Sequence, residues 1–204
     1  MHLRKNRQRI LFKEESYFIL FIKMFIKSGI FTVAIDDAPH KRDHLTTELI
    51  FVICRGFDIE HFIHTQIDVD GLNSTNMIIK TLNPIIDRFQ IILTHGITTA
   101  GFNLIDIEKI FTELNKPIIS VTENAPKGQF NDAIRNLPDY EIRKSIIERA
   151  GEQHSYITPA GKNPVFFQYK GLELKTVHQF LKKFSKRSRL PEQLLLAHKI
   201  ASGL

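Results

Sequence analysis

Two apolar runs that break off into polar side chains constrain this chain more than any other feature. Ile92–Phe102 (ILTHGITTAGF) loses its apolar character at Thr94-His95-Gly96, and the run Ile30–Ile35 stops at the pair Asp36-Asp37. A strand ending this way delivers its last side chains to the edge of a sheet. Two such ends form the usual place for a ligand or metal in an α/β fold. Taken singly, each reads more simply as a core strand followed by a solvated loop; the pair is what points to a site.

The remaining composition narrows the class. A length of 204 residues suits one domain, or one domain plus an extension, and 43% hydrophobic with 25% charged residues is ordinary for a soluble globular chain. The net charge of +6 favours polyanions such as nucleic acid through counterion release, without being diagnostic of them. The single cysteine, Cys54, excludes an intramolecular disulfide and a cysteine-rich zinc module. It lies in the apolar run Leu49–Arg55, which predicts a buried, inert thiol and fits a cytoplasmic protein. Tyr17–Ile30 (YFILFIKMFIKSGI) is the one stretch that imitates a membrane segment. Its uncharged part, Ser16–Ile22, falls far short of the ~20 apolar residues a spanning helix needs, and Lys23 and Lys27 interrupt the remainder of the stretch. Residues 1–29 read as an N-terminal extension, a helix or added strand docked on a domain over residues 30–204.

Periodicity then orders the elements. Ile30–Asp36 and Glu48–Arg55 read as buried strands. In Ile59–Val69 the alternation of Ile59, Ile63 and Ile67 with Glu60, His64 and Gln66 predicts a strand with one wet face. Short links between the three favour an antiparallel meander. Asn73 or Ser74 can cap a helix over Asn76–Pro84, Phe89–Leu93 is a continuous apolar strand, and Asn103–Leu114 carries the stripe Ile107, Ile110, Phe111 and Leu114. Next come a strand over Ile118–Val121, helices over Phe130–Asn136 and Asp139–Ala150, and short strands at Tyr156–Thr158 and Val165–Tyr169. Two helices end the chain, divided at Arg189-Leu190-Pro191, and in the second Leu194, His198 and Ala201 share a face. A meander continued by alternating strands and helices fits an α/β, ribonuclease H-like mixed sheet. The strand Phe89–Leu93 is expected beside the first strand and parallel to it, which would bring Asp36 near His95.

Nucleases of that fold hold divalent ions with carboxylates from separate strands; the ions activate water and stabilise the leaving oxygen. Asp36 or Asp37 supplies the first-strand acid, and since successive strand residues face opposite ways, only one of them should enter a given site. Asp70, ahead of Gly71, is a second candidate ligand and equally a turn-forming aspartate. His95 takes the third strand end, where nitrogen suits Mn²⁺ or Zn²⁺ better than a hard Mg²⁺ ion. His198 is a ligand, a proton carrier or a core histidine. His61 and His64 fall on opposite faces of a strand, which argues against a shared metal. The C-terminal cluster Lys182, Lys183, Lys186, Arg187 and Arg189 is a candidate phosphate contact and equally a solvated helix face.

Several segments together resemble a chiefly archaeal family related to endonuclease V and labelled endonuclease dU: Ala34–Pro39 (AIDDAP), Val69–Ser74 (VDGLNS), Gly96–Asp106 (GITTAGFNLID), Asn136–Tyr140 (NLPDY) and Ser188–Gly203 (SRLPEQLLLAHKIASG). The resemblance implies a ribonuclease H-like fold. It also implies metal-dependent cleavage, with Mg²⁺ or Mn²⁺, of DNA or RNA near deaminated bases, a DNA-repair type of chemistry. On it Asp36 falls at the first-strand catalytic aspartate and His198 at the C-terminal helix position that assists the metal site. The chain departs from the family pattern where His95 stands for a ligand aspartate, Asn76 for a glutamate and Leu195 for an arginine. Those departures leave two outcomes open: a nuclease with weakened Mg²⁺ binding, or a catalytically silent module for nucleic-acid binding or protein interaction on the same fold.

Overall fold

The computed structural model describes residues 26–204 apart from 42, 126–127 and 138, and leaves out the side chains of 128–131 as well. The helix or strand expected in the extension therefore lies outside the described residues, except at its end. There, Ile26 and Ile30 are buried in the core and Lys183 Nζ donates to the Ile26 carbonyl at 2.6 Å.

Three strands, β1 (Phe31–Asp37), β2 (Thr46–Arg55) and β3 (Asp58–Asp68), form the antiparallel meander. Helix α1 (Ser74–Leu82) and a 3-10 turn over Asn83–Arg88 lead to β4 (Ile91–His95), which lies parallel to β1 with Ile35 opposite Thr94. That register puts Asp36 level with His95, as the expected strand order requires. A small hairpin of β5 (Thr98–Thr99) and β6 (Asn103–Leu104) comes next, then α2 (Ile107–Leu114) and β7 (Ile118–Thr122), which is parallel to β4. Helices α3 (Gly128–Arg135) and α4 (Tyr140–Ala150) precede β8 (His154–Tyr156) and β9 (Val165–Lys170). The chain then closes with α5 (Leu174–Phe184) and α6 (Glu192–Ala201). The seven-stranded mixed sheet has the order β3-β2-β1-β4-β7-β9-β8.

The period-two pattern of the strands sorts their apolar residues onto two faces. Ala34, Ile50, Val52 and Leu93 pack on one face beneath α5 and α6, where Phe180, Phe184, Leu194 and Ala197 are fully buried. Val33, Ile35, Phe51 and Ile92 pack on the other beneath α1 and α2, with Ile78, Leu82, Ile107 and Ile110. Cys54 is buried among the first group, and burial pushes its thiol up to about 12, so the predicted inert cysteine stands.

One expected element is shorter than its pattern. The helix read over Asn103–Leu114 starts only at Ile107, because Asn103 and Leu104 pair with Thr99 and Thr98 in the hairpin. Asn103 is fully buried and donates from Nδ2 to the Asp68 carbonyl and to Asn73 Oδ1, while its Oδ1 accepts from Ser74 N. Asp106 is the true cap; its carboxylate accepts from Lys109 N. Neither Asn73 nor Ser74 caps α1 through its side chain, since Asn73 is held by Asp68 and Asn103 and Ser74 by the Leu104 carbonyl.

No helix among the described residues is long and apolar enough to cross a membrane.

Candidate metal centre

Asp36 leaves the end of β1 on the face covered by α6, and its side chain is almost wholly buried. β4, one strand over, ends in His95. Helix α6 runs across that face from Gln193, whose Nε2 donates to the Gly56 carbonyl beyond the far end of β1, up to His198 at the near end. The three side chains meet at one atom: His95 Nδ1 lies 3.2 Å and His198 Nδ1 2.8 Å from Asp36 Oδ2. The imidazoles stand edge to face with centroids 5.5 Å apart. One donor atom from each of the three lies within 4.8 Å of the others.

The other oxygen of Asp36 accepts from the Asp37 amide at 3.1 Å, which fixes the carboxylate plane. Asp37 faces away, as alternation along a strand demands, and accepts from Ala100 N at 2.9 Å. It thereby ties the β5–β6 turn, where Ala100 and Gly101 both have positive φ, to the end of β1. His95 is about three-quarters buried and His198 half exposed. Burial alone would push the His95 imidazole down. The hydrogen bond and charge of Asp36, with Glu123 and Asp37 behind it, together outweigh that and hold its pKa above the ordinary histidine value.

The donor set fits a first-row divalent ion. Bonds of about 2.0–2.1 Å to a tetrahedral ion place neighbouring ligand atoms about 3.3 Å apart. Separations of 2.8 and 3.2 Å from Asp36 Oδ2 are therefore close to a coordination set. One carboxylate and two imidazoles favour Mn²⁺, Zn²⁺ or Fe²⁺ over Mg²⁺, which takes oxygen ligands and keeps its waters.

Asp70 is not brought to this group. It sits in the left-handed region at φ 57, its carboxylate accepts from Phe102 N at 2.8 Å, and its own amide donates to the Ala100 carbonyl. These bonds tie the end of β3 to the β5–β6 hairpin. His61 and His64 both lie on β3, and His64 Nδ1 is bonded to Glu48 on β2 at 2.8 Å. The basic cluster is divided. Lys183 is spent on the Ile26 carbonyl and Arg189 on Glu123 at 3.0 Å, whereas Lys182, Lys186 and Arg187 are exposed. Of the departures from the family pattern, Asn76 accepts from Lys109 Nζ at 2.9 Å and Leu195 lies three residues before His198 on α6.

Two features escaped the reading of the sequence. Arg143 is buried on α4 and donates to the carbonyls of Gly71, Phe102 and Asp70, clamping the loops that carry the hairpin. Its signal was a cation at i, i+3, i+7 spacing with Ile146 and Ala150. The other is a pocket of about 640 Å³ beside His95, walled by Thr98, Ser120, Asn124, Gln153 and Gln168. Its residues come from four separate stretches, 95–98, 120–125, 147–153 and 166–168, so no local motif could announce it.

Comparison with known proteins supplies relatives. The family model described as endonuclease dU matches residues 28–204. A UPF0215 protein of Methanopyrus kandleri is 37% identical over 183 residues, covering 88% of this chain and 93% of that one. The crystal structure of a protein of unknown function from Archaeoglobus fulgidus superposes with a TM-score of 0.76 at 30% identity, over 85% of this chain and 97% of that one. Endonuclease V of Ciona intestinalis, in complex with a 24mer DNA containing an inosine followed by a ribo-adenosine, shares the fold. Its TM-score is 0.56 at 14% identity, over 97% of this chain and 96% of that one. The sheet order and this likeness make the fold ribonuclease H-like.

Proposed function

Because the chain belongs to the endonuclease dU family, we propose that it is a metal-dependent endonuclease acting on DNA or RNA that carries deaminated bases, with Asp36, His95 and His198 as its metal ligands. The observation that carries the reading is the convergence of those three side chains, from β1, β4 and α6, on one carboxylate oxygen. A carboxylate oxygen and two imidazole nitrogens within 4.8 Å of one another are a donor set for a first-row divalent ion.

A bound divalent ion would supply Lewis-acid activation of a water and charge stabilisation at the scissile phosphate. The chain's own residues do the rest. Asp36 provides the anionic ligand and, through its bond from the Asp37 amide, a fixed carboxylate. His95 provides a buried nitrogen ligand. His198 is half exposed, and with Nδ1 on the site its Nε2–H would be free to donate a hydrogen bond to solvent or to a departing oxygen. The pocket beside His95 has a wall of neutral amides and hydroxyls, which offers donors and acceptors to an uncharged ring such as a nucleobase. Exposed Lys182, Lys186 and Arg187 supply cations for the backbone.

The test is nicking of inosine-containing, uracil-containing and undamaged oligonucleotides, as DNA and as RNA, with Mg²⁺ and with Mn²⁺. The expected result is cleavage that Mn²⁺ supports better than Mg²⁺, near a deaminated base, and that Asp36→Ala abolishes. Binding without cleavage under every metal would favour the second reading, a silent nucleic-acid-binding module. That reading draws on His95 standing where a ligand aspartate is expected.

A further inference from the structure

The sheet ends at β3 in an edge that the rest of the molecule leaves open. Ala38 N donates to the Glu48 carbonyl, so even-numbered residues of β2 turn their peptide groups toward β1 and odd-numbered ones toward β3. Val69 N to the Leu45 carbonyl continues the odd series. The β2–β3 register pairs Phe51 with Ile63 and Leu49 with Thr65, so the peptide groups of Phe62, His64, Gln66 and Asp68 point outward. Asp68 is closed off: its amide donates to Asn73 Oδ1 and its carbonyl accepts from Asn103 Nδ2. At the other end the ladder shifts register between Ile53 and Cys54, which leaves Glu60 as the extra residue of a bulge. The open edge is thus Phe62, His64 and Gln66, bounded on both sides and symmetric about His64.

The bulge and the acids Asp58, Glu60 and Asp68 lie at the two ends of the strand, so the stretch between them carries no charged guard or proline. β3 spans 11 residues without a lysine, arginine or proline, in a chain with 28 Lys and Arg. Phe62 on it is 55% exposed. Among the described residues no strand covers it.

We propose that this edge pairs antiparallel with the same edge of a second copy of the chain, on a two-fold axis through His64. Phe62 then faces Gln66 of the other copy, His64 faces His64, and Gln66 faces Phe62, which uses every open group. Each of the three pairs exchanges two bonds, about six in all. Two imidazoles meet on the axis without uncompensated charge, because each is held by its own Glu48, whose carboxyl the His64 and Gln66 side chains keep below its ordinary pKa. Head-to-tail pairing has no comparable acceptor, since the opposite edge of the sheet, β8, is only three residues long. The axis stands normal to the sheet, so the strands of the two copies run in opposite directions. The two Asp36 centres therefore open at opposite ends of a continuous sheet.

Sedimentation equilibrium of the full chain is expected to give twice its 23.6 kDa. Facing Cα atoms of a hydrogen-bonded pair lie about 5.5 Å apart, inside the about 4.4–6.8 Å that a disulfide spans. His64→Cys should therefore cross-link the copies on oxidation, while Thr65→Cys on the same strand should not, and buried Cys54 does not compete. Phe62→Pro removes an outward amide and leaves the β2 ladder intact, so it should give a monomer with unchanged circular dichroism. A monomer at about 100 μM, where even a weak dimer of micromolar Kd would persist, overturns the proposal. So does a dimer that His64→Cys fails to link and Phe62→Pro fails to split. A monomer whose Phe62, His64 and Gln66 amides are protected from exchange at every concentration assigns the edge to residues 1–25 and overturns it equally.

Discussion

At the scale of single residues, His95 decides what this centre can bind. Replacing its imidazole with a carboxylate adds an anionic oxygen ligand, so His95→Asp should tighten Mg²⁺ by about tenfold or more, some 1.4 kcal/mol. Calorimetric titration of both proteins with Mg²⁺ checks this, and equal affinities would mean that position 95 is not a ligand. Glu48 offers a separate test away from the site. Its hydrogen bonds from His64 and Gln66 lower its folded pKa from the usual 4.5. A depressed carboxylate stabilises the fold above its unfolded pKa, and that stabilisation is lost as pH falls through the folded value. Urea melts should therefore show wild type more stable than Glu48→Gln at neutral pH, with the gap closing as pH falls below about 4.5, the unfolded carboxyl's pKa. Of the three residues that converge, Asp36 and His95 were legible from their places at the ends of apolar runs, and His198 from the resemblance. Asp70 was ambiguous because an aspartate before a glycine serves a turn and a metal with the same local pattern. In the fold its positive φ and its bond to Phe102 N show the turn contact.

At the scale of elements, the site depends on loops that are held from beneath. Arg143 binds three backbone carbonyls from inside the core, and with a methionine there those carbonyls would have no partner. The expected cost of Arg143→Met is about 2–4 kcal/mol, since a buried acceptor left unsatisfied costs about 1–3 kcal/mol and relaxation recovers part of the sum. Thermal unfolding measures it, and a melting temperature within a degree of wild type would contradict the clamp. Strand and helix positions were readable because apolar alternation and the 3.6-residue stripe are local. The hairpin at Thr98–Leu104 was not, because two-residue strands leave no period to detect. Asn103 sits at its centre for tertiary reasons, its amide serving residues 29 and 35 positions away.

At the scale of the whole molecule, the net charge of +6 should show itself in salt dependence. If the backbone of a bound duplex crosses Lys182, Lys186 and Arg187, neutralising each residue should lower the log–log salt slope by about 1. Lys183 and Arg189, engaged within the fold, should change that slope little. Fluorescence anisotropy across a salt series separates the two groups, and a slope indifferent to the first three would place the polyanion surface elsewhere. The central claim itself is that three residues from three distant segments of the chain form one metal centre. It is tested most directly by titrating the purified protein with Mn²⁺ and following the free ion by electron paramagnetic resonance. The account predicts saturable binding at this centre that Asp36→Ala removes and His95→Ala and His198→Ala each weaken by about tenfold or more; undiminished Mn²⁺ binding in Asp36→Ala would contradict it.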